Sequence, residues 1–439
     1  MASTDLRITS AMMDATLLDL PWDLPLDEWS DDTVVSLPKG ISRHLVRFAR
    51  LGGRVVAIKE TTEEMATGEY RMLRRLQRLD VPCVEPVAVV AGRRTVLGEP
   101  LPTALVTRHL RFSLPYRALY SSALKRSTAQ RLVDALAGLL VRLHLVGFYW
   151  GDVSLSNTLF RRDAGAFAAY LVDAETGTIP PGGLSDGRRA DDLEIARVNI
   201  AGELLDLAAG GRLDDSIDPV AVAGSIVEQY RELWHTLTSD EIVPSTERWR
   251  INARLERLNA LGFDIEELSL STGDGGTTVR IQPKVVDPGH HHRRLSSLTG
   301  IDAEENQARR MLNDLDQYVA HEREARPRMG DEALANEWFE RVYLPIVDAV
   351  PRELGGKLES PEVFHEVLEH RWYLSERERR EIPLDEAVSS YIETQLQHRR
   401  DEAALLGVPV TVTMPIIPLE TGEIDLADED DDPDWRSKV

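Results

Sequence analysis

The most apolar stretch of the chain, "LVDALAGLLVRLHLVGFYW" from Leu132 to Trp150, sets the first limit on its fold. Asp134, Arg142 and His144 interrupt it, so it falls short of the roughly 20 apolar residues a bilayer span needs. Leu132, Leu136, Leu139, Leu140 and Leu143 recur at helical spacing, which predicts a helix with one face buried in a globular core. That helix is expected to begin at Ser127, with Gln130 completing a capping box, and to stop at Gly147. A polar loop follows at once, "GDVSLSNTLF", with Asp152 and Asn157 five residues apart.

A chain of 439 residues is too long for one ordinary core and predicts two or three domains. Its formal net charge of −23 argues against general nucleic-acid binding, because displacing counterions from phosphates needs a basic surface, and leaves room only for a local basic groove. The single cysteine, Cys83, excludes an internal disulfide framework and a cysteine zinc cage. It fits a reducing compartment. The first residues carry acids and no unbroken apolar core, unlike a secretory signal. The expectation is a cytoplasmic protein with no membrane span.

Upstream, "HLVRFARLGGRVVAIKE" reads as a β-hairpin turning at Gly52-Gly53, and "TTEEMATGEYRMLRRLQRLD" as a helix capped by Thr61 with Glu64. Strand-like runs follow at "VEPVAVVAG" and "TALVTRHL". After the apolar helix, "TLF" and "FAAYLVD" pair across the turn "RRDAGA", and helices resume at "DDLEIARVNIAGELLDLAAG". The fold class is α+β, a two-lobed plan with a small β-rich first lobe and a mainly helical second lobe. The expected division is an N-terminal extension over 1–32, a two-lobed domain over 33–238, a mostly helical domain over 239–405 and a disordered acidic tail over 406–439.

Four features fall in order. Lys59 closes a strand in "VVAIK", Glu69 lies on the next helix, Asp152 and Asn157 share the polar loop, and Asp173 ends the strand "YLVD". Each alone is weak: such a lysine usually lies on the surface, and Glu69 would pair locally with Arg71 or Arg75. Together they resemble the protein-kinase-like signature of strand lysine, helix glutamate, D-x-x-x-x-N loop and metal-binding aspartate. Phosphoryl transfer asks for these types because the protein supplies mainly position and charge neutralisation. A cation meets the nucleotide phosphates, hard oxygens hold Mg²⁺, and a separate carboxylate takes the acceptor proton.

"GDVSLSNTLF" is similar to the loop of the lipopolysaccharide-kinase-like (Kdo kinase and heptose kinase) and aminoglycoside-phosphotransferase-like branches of that superfamily. The motif-bearing resemblance covers about residues 33 to 238; the whole chain resembles a bacterial family joining such a domain to an uncharacterised C-terminal one. The resemblance implies that ATP and Mg²⁺ are cofactors, that Lys59 holds phosphates and that Glu69 pairs with it. It implies Asp152 as catalytic base and Asn157 and Asp173 as metal ligands. Asp192 resembles the buried aspartate that braces a kinase catalytic loop, although an N-cap role reads equally well. Glu175 either adds a metal carboxylate or faces solvent. The backbone of Arg108, His109 and Leu110, by position alone, would be the hinge that meets adenine.

The departures narrow the acceptor. Trp150 precedes Gly151-Asp152 where protein kinases carry His-Arg, Ala174-Glu175 replaces Phe-Gly, and no G-x-G-x-x-G is present. Gly40 with Ser42 would form at most a short phosphate-covering turn. "TGTIPPGGLSDGRR" is too short for a peptide-docking platform, which favours an unidentified carbohydrate or small-molecule hydroxyl. A nucleotide-binding regulator with little turnover, using the C-terminal domain to bind a protein partner, is the alternative. "DPGHHHRR" (His290, His291, His292) reads as a polar loop rather than a metal site, with Arg293 and Arg294 as anion contacts. Trp234, Trp249, Trp338 and Trp372 are expected in cores.

Overall fold

The computed structural model describes residues 6–11, 14–30, 33–35, 45–120, 124, 126–239, 241–244, 249, 253, 263–272, 278–399 and 401–403. Gly52 and Gly53 adopt φ of 55° and 79°, a left-handed conformation glycine reaches without strain. They fold β3 (Val46–Leu51) back on β4 (Arg54–Thr61), with Val46 opposite Lys59. With β1 (Arg7–Ser10), β2 (Val34–Val35), β5 (Pro86–Ala91) and β6 (Thr103–Arg108) they form an antiparallel sheet in the order β1-β5-β6-β4-β3-β2. Helix α1 (Glu63–Arg78) crosses from β4 to β5. Its cap is Thr62, whose side chain accepts from Met65 N, and not Thr61, which still belongs to β4.

The segment before β2 is part of this lobe. Leu20, Trp22, Leu26 and Trp29 are buried against Val56, Ile58, Val90 and Val106. Arg93, 1% exposed, fixes them by donating to the carbonyls of Trp22, Leu24 and Pro102 while pairing with Glu60. A buried guanidinium with bonds directed at the carbonyls of Trp22 and Leu24 needs the N-terminal segment in place.

The second lobe holds β7 (Leu114–Pro115), α2 (Tyr116–Leu119), α3 (Arg126–Leu145), β8 (Thr158–Asp163), β9 (Ala166–Leu171), α4 (Asp186–Ala209) and α5 (Pro219–Thr238). The apolar face of α3 packs on α5 and β9, placing Leu132, Leu136 and Leu140 in one core with Ile200, Leu204, Ile226 and Tyr230. Helix α3 begins at Arg126, so Ser127 lies inside it, and Gln130 donates to Asp134 at 3.0 Å instead of closing a box.

C-terminal to this lobe, β10 (Glu241–Pro244), β11 (Phe263–Thr272) and β12 (Thr278–Pro288) form a second antiparallel sheet. Helices α6 (His290–Thr299), α7 (Glu305–Ala325), α8 (Asp331–Trp338), α9 (Leu344–Asp348), α10 (Ser360–Glu378) and α11 (Leu384–Thr394) follow around a core that includes Met311, Trp338, Phe364 and Tyr391. "DPGHHHRR" is therefore a helix start, with Gly289 at φ 86° turning the chain into α6. Trp338 is core and Trp234 packs against the first core, but Trp249 and Trp372 are 67% and 38% exposed, against expectation. Of the helix expected over 246–262, only Trp249 and Ala253 are described, both helical; the rest of it and the acidic tail lie outside the described residues. The fold is α+β, with a β-rich first lobe and a helical C-terminal part. Among the described residues, no helix is long and apolar enough to cross a membrane.

Candidate active site

Lys59 lies on β4, an interior strand paired on both sides, and its side chain reaches Glu69 of α1 and Asp173 of the second lobe. Its ammonium, on a residue 9% exposed, lies 3.0 Å from Glu69, 2.7 Å from Asp173 and 2.8 Å from Glu175. Glu69 therefore does not pair with the arginines of its own helix; it points inward from the buried side of α1. Burial alone would lower the Lys59 pKa, but the carboxylates of Glu69 and Asp173 outweigh it and hold the ammonium charged. Glu69 is pushed up to about 8, first by burial and then by the charge of Asp173. Glu175 faces the cluster rather than solvent, and its amide donates to Asp173 Oδ1 at 2.9 Å.

Carboxylate oxygens of Glu69, Asp173 and Glu175 lie within 4.8 Å of one another, a set that could hold a cation. Hard oxygen donors of this kind suit Mg²⁺. One ammonium faces three acidic groups, an excess of acid that a divalent ion would relieve.

The β8–β9 hairpin joins this cluster to the polar loop. Register runs from Thr158 opposite Leu171 to Asp163 opposite Ala166, and Val172 N donates to Asn157 O at 3.0 Å. Asn157 and Asp173 thus leave the same end of the hairpin. The Asn157 Nδ2 donates to the carbonyl and carboxylate of Asp152 at 3.0 and 3.1 Å, which leaves its amide oxygen for a metal.

Helix α4 braces the loop with a polar stripe. Asp192, fully buried, accepts from the amides of Trp150 and Gly151, both at 2.7 Å. Asn199 donates to Val153 O at 3.1 Å and to Asp152 Oδ1 at 3.4 Å. Glu203 accepts from the amides of Leu155 and Ser156 at 2.7 and 3.0 Å. Ser185 is the N-cap of α4, so Asp192 takes the bracing position and not the capping one. Asn199 and Glu203, seven and eleven residues beyond Asp192, escaped the sequence reading although that spacing repeats on one helix face.

His144 closes the brace from behind, between Tyr230 OH at 2.7 Å and Asp192 at 3.2 Å. Burial lowers its pKa against the pull of Asp192, so the ring is neutral, with Nε2–H toward the carboxylate and Nδ1 accepting from the phenol. Trp150 is a working part of the same assembly. Its buried indole N–H donates to Asp173 O at 2.9 Å, and its carbonyl accepts from Thr176 at 2.7 Å. Gly177 lies so close to Phe148 that a Cβ would sit 2.2 Å from the ring.

The hinge assignment is narrowed. Arg108 N donates to Glu85 O at 2.7 Å and His109 N to Val55 O at 3.0 Å, so neither amide is available to adenine. His109 is buried, which pushes its pKa down to about 4. Leu110 follows directly on this pairing. Gly40 and Ser42 lie outside the described residues.

The histidine run has structural partners. His291 and His292 donate their amides to Glu305, His291 Nδ1 meets the same carboxylate at 2.6 Å, and His292 Nδ1 meets Ala303 O at 2.7 Å. The anion at this helix start is the protein's own Glu305, while Arg293 and Arg294 pair with Asp80 and Asp316. A cavity of about 380 Å³ lies away from Lys59, in the seam where Arg111 and Phe112 meet Ile301, Tyr343 and Glu359.

The lipopolysaccharide kinase (Kdo/WaaP) family model matches residues 54–179, and a domain of unknown function (DUF4032) matches residues 232–396. No curated protein matches the chain. A solved structure titled "WaaP in complex with acyl carrier protein" aligns with 52% of this chain and 88% of its own, at 15% identity and a TM-score of 0.32. The segment that holds Lys59, Glu69, Asp152, Asn157 and Asp173 is the one that the lipopolysaccharide kinase (Kdo/WaaP) family model matches.

Proposed function

We propose that this chain is an ATP- and Mg²⁺-dependent phosphotransferase that moves the γ-phosphate to a carbohydrate or small-molecule hydroxyl. The observation that carries the reading is the buried Lys59, gathered with Glu69, Asp173 and Glu175 at the end of the hairpin that also presents Asn157. In this reading Lys59 binds nucleotide phosphates, and Asn157, Asp173 and Glu175 hold the ion. When bound, Mg²⁺ neutralises phosphate charge. Asp152, oriented by Asn157 and Asn199, takes the proton of the acceptor hydroxyl.

The acceptor class follows from what comes after Asp173. Residues 174–185 run through a bridge between Tyr149 and Thr178 straight into α4, leaving little chain for a peptide platform. A family named for lipopolysaccharide kinases fits a sugar hydroxyl.

The test is transfer from labelled Mg·ATP to a panel of sugars and to water, with Asp152→Asn as control. Expected is a loss of roughly 10²–10⁴-fold in that variant with a normal melting curve. Equal turnover in the two proteins removes Asp152 from the chemistry. Nucleotide binding without turnover in either would instead make the chain a nucleotide-binding regulator.

A further inference from the structure

The tip of the β8–β9 hairpin would ordinarily be an exposed turn. Here Asp163 and Ala164 are 3% and 4% exposed, because the C-terminal helices enclose them. Four successive tip residues are gripped. Arg161 pairs with Glu304 at 2.8 Å and also with Glu359. Arg162 pairs with Glu402 at 2.7 Å, and its carbonyl accepts from Gln307 at 3.1 Å. Asp163 accepts from Gln307 N and Asn306 Nδ2, both at 2.8 Å. Ala164 N donates to Glu362 at 2.9 Å.

The same region reaches toward the site along β9. Tyr170, three residues before Asp173, donates its hydroxyl to Glu304 at 2.7 Å. The opposite flank is held too, since Leu171 exchanges bonds with Pro82 and Val84, both at 3.0 Å, in the segment that leads from α1 to β5. A hairpin paired from end to end transmits the placement of its tip to its other end, where Asn157 and Asp173 emerge.

We propose that the C-terminal helical region positions the metal-binding end of the kinase-like site through the hairpin tip, with Glu304, Gln307, Glu362 and Glu402 as positioning residues. The proposal rests on the phosphotransferase reading for its activity readout only. Contacts that hold a ligand in place from outside typically tune metal affinity by 10–100-fold when removed. The grip is built from directed polar bonds to consecutive residues, which fix a register that an apolar patch would leave adjustable.

The experiment compares the full chain with Gln307→Ala, Glu402→Gln, Arg162→Glu and the charge swap Arg162→Glu with Glu402→Arg. Each is checked for a cooperative melt, and two quantities are measured: the Mg²⁺ concentration giving half-maximal ATP turnover, and amide exchange at Val172, Ala164 and Gln307. Expected for the single variants is a roughly tenfold higher half-saturating Mg²⁺ with turnover near normal at saturation, and faster exchange at Val172. The swap should move both quantities back toward the unmodified chain relative to Arg162→Glu alone. Loosened exchange at Ala164 and Gln307 with Val172 and the Mg²⁺ requirement unchanged overturns the proposal. If the swap pair does not fold, Gln307→Ala, which deletes one amide, still decides. Should the unmodified chain show no turnover, the phosphotransferase reading fails, and exchange at Val172 alone decides the positioning role.

Discussion

The two ends of the β8–β9 hairpin hold buried acids by different means. At the site end, Glu69, Asp173 and Glu175 converge on one ammonium, and carboxylates outnumber cations with little else to neutralise them. At the tip end, acids also crowd together, yet arginines and neutral donors together meet them: Arg161 for Glu304 and Glu359, Arg162 for Glu402, Arg399 and Tyr391 for Glu366, Asn306 and Gln307 for Asp163, Tyr170 for Glu304. Satisfied acids make a scaffold, whereas acids in excess over their donors make a place for a cation.

The largest expected effect lies at the site end. Asp173→Asn should cut phosphate transfer roughly a thousandfold or more, a barrier increase of about 4 kcal/mol, while leaving the melting temperature intact. A large fall in stability with little loss of rate would make that end a scaffold as well. Arg161→Ala should do the reverse. It leaves Glu304 and Glu359 buried without their cation, and urea titration should show a loss of about 3–5 kcal/mol.

The pH dependence of stability sharpens the contrast. Asp163 and Glu366 are both pushed up to about 7, chiefly by burial, with Glu304 adding repulsion at Asp163 and Arg399 opposing at Glu366. The folded chain therefore binds more protons there than the unfolded chain between about pH 4 and 7, so their contribution to stability falls as pH rises through that window. The size is on the order of 4 kcal/mol or less for each group, and Asp163→Asn should flatten the slope measured by urea titration at fixed pH steps. An unchanged slope removes Asp163 as its source.

Mg·ATP at about a hundred times its dissociation constant should stabilise the chain by about 2.7 kcal/mol in a thermal-shift titration. Asp173→Asn should lose most of that, and tip variants should keep it once Mg²⁺ is saturating. The smallest effect concerns the histidine run. His291→Ala removes one bond to Glu305 and should cost about 1 kcal/mol, with no change in zinc affinity by calorimetry. A lost zinc-binding isotherm would reopen a metal role there.

Much of the site was legible because its parts sit at fixed points of regular elements. Lys59 ends a strand, Glu69 lies on the inner face of the next helix, and Asp152 and Asn157 flank a loop of set length. The stripe Asp192, Asn199 and Glu203 was also present at helical spacing, but periodicity does not say which face of α4 meets the loop. Trp150 read as a departure because an indole's use depends on what its N–H reaches, and Asp173 O lies 23 residues away in sequence. Thr61 and Thr62 show the same limit locally: either could cap, and the end of β4 chose.

By itself the sequence determined the order and kind of elements, the acidic balance that argues against general nucleic-acid binding, and the residue types that the proposed phosphoryl transfer would use. These follow from local propensity, periodicity and composition, which are properties of short windows. Tertiary structure alone decided that Lys59 meets Asp173, 114 residues on, and that Glu175 turns inward. It also placed Glu402 on Arg162, 240 residues back, so that a C-terminal region with no legible role encloses the hairpin of the site. Such pairings depend on how whole faces pack and on which buried charges must find partners, and no short window of sequence contains both sides of that requirement.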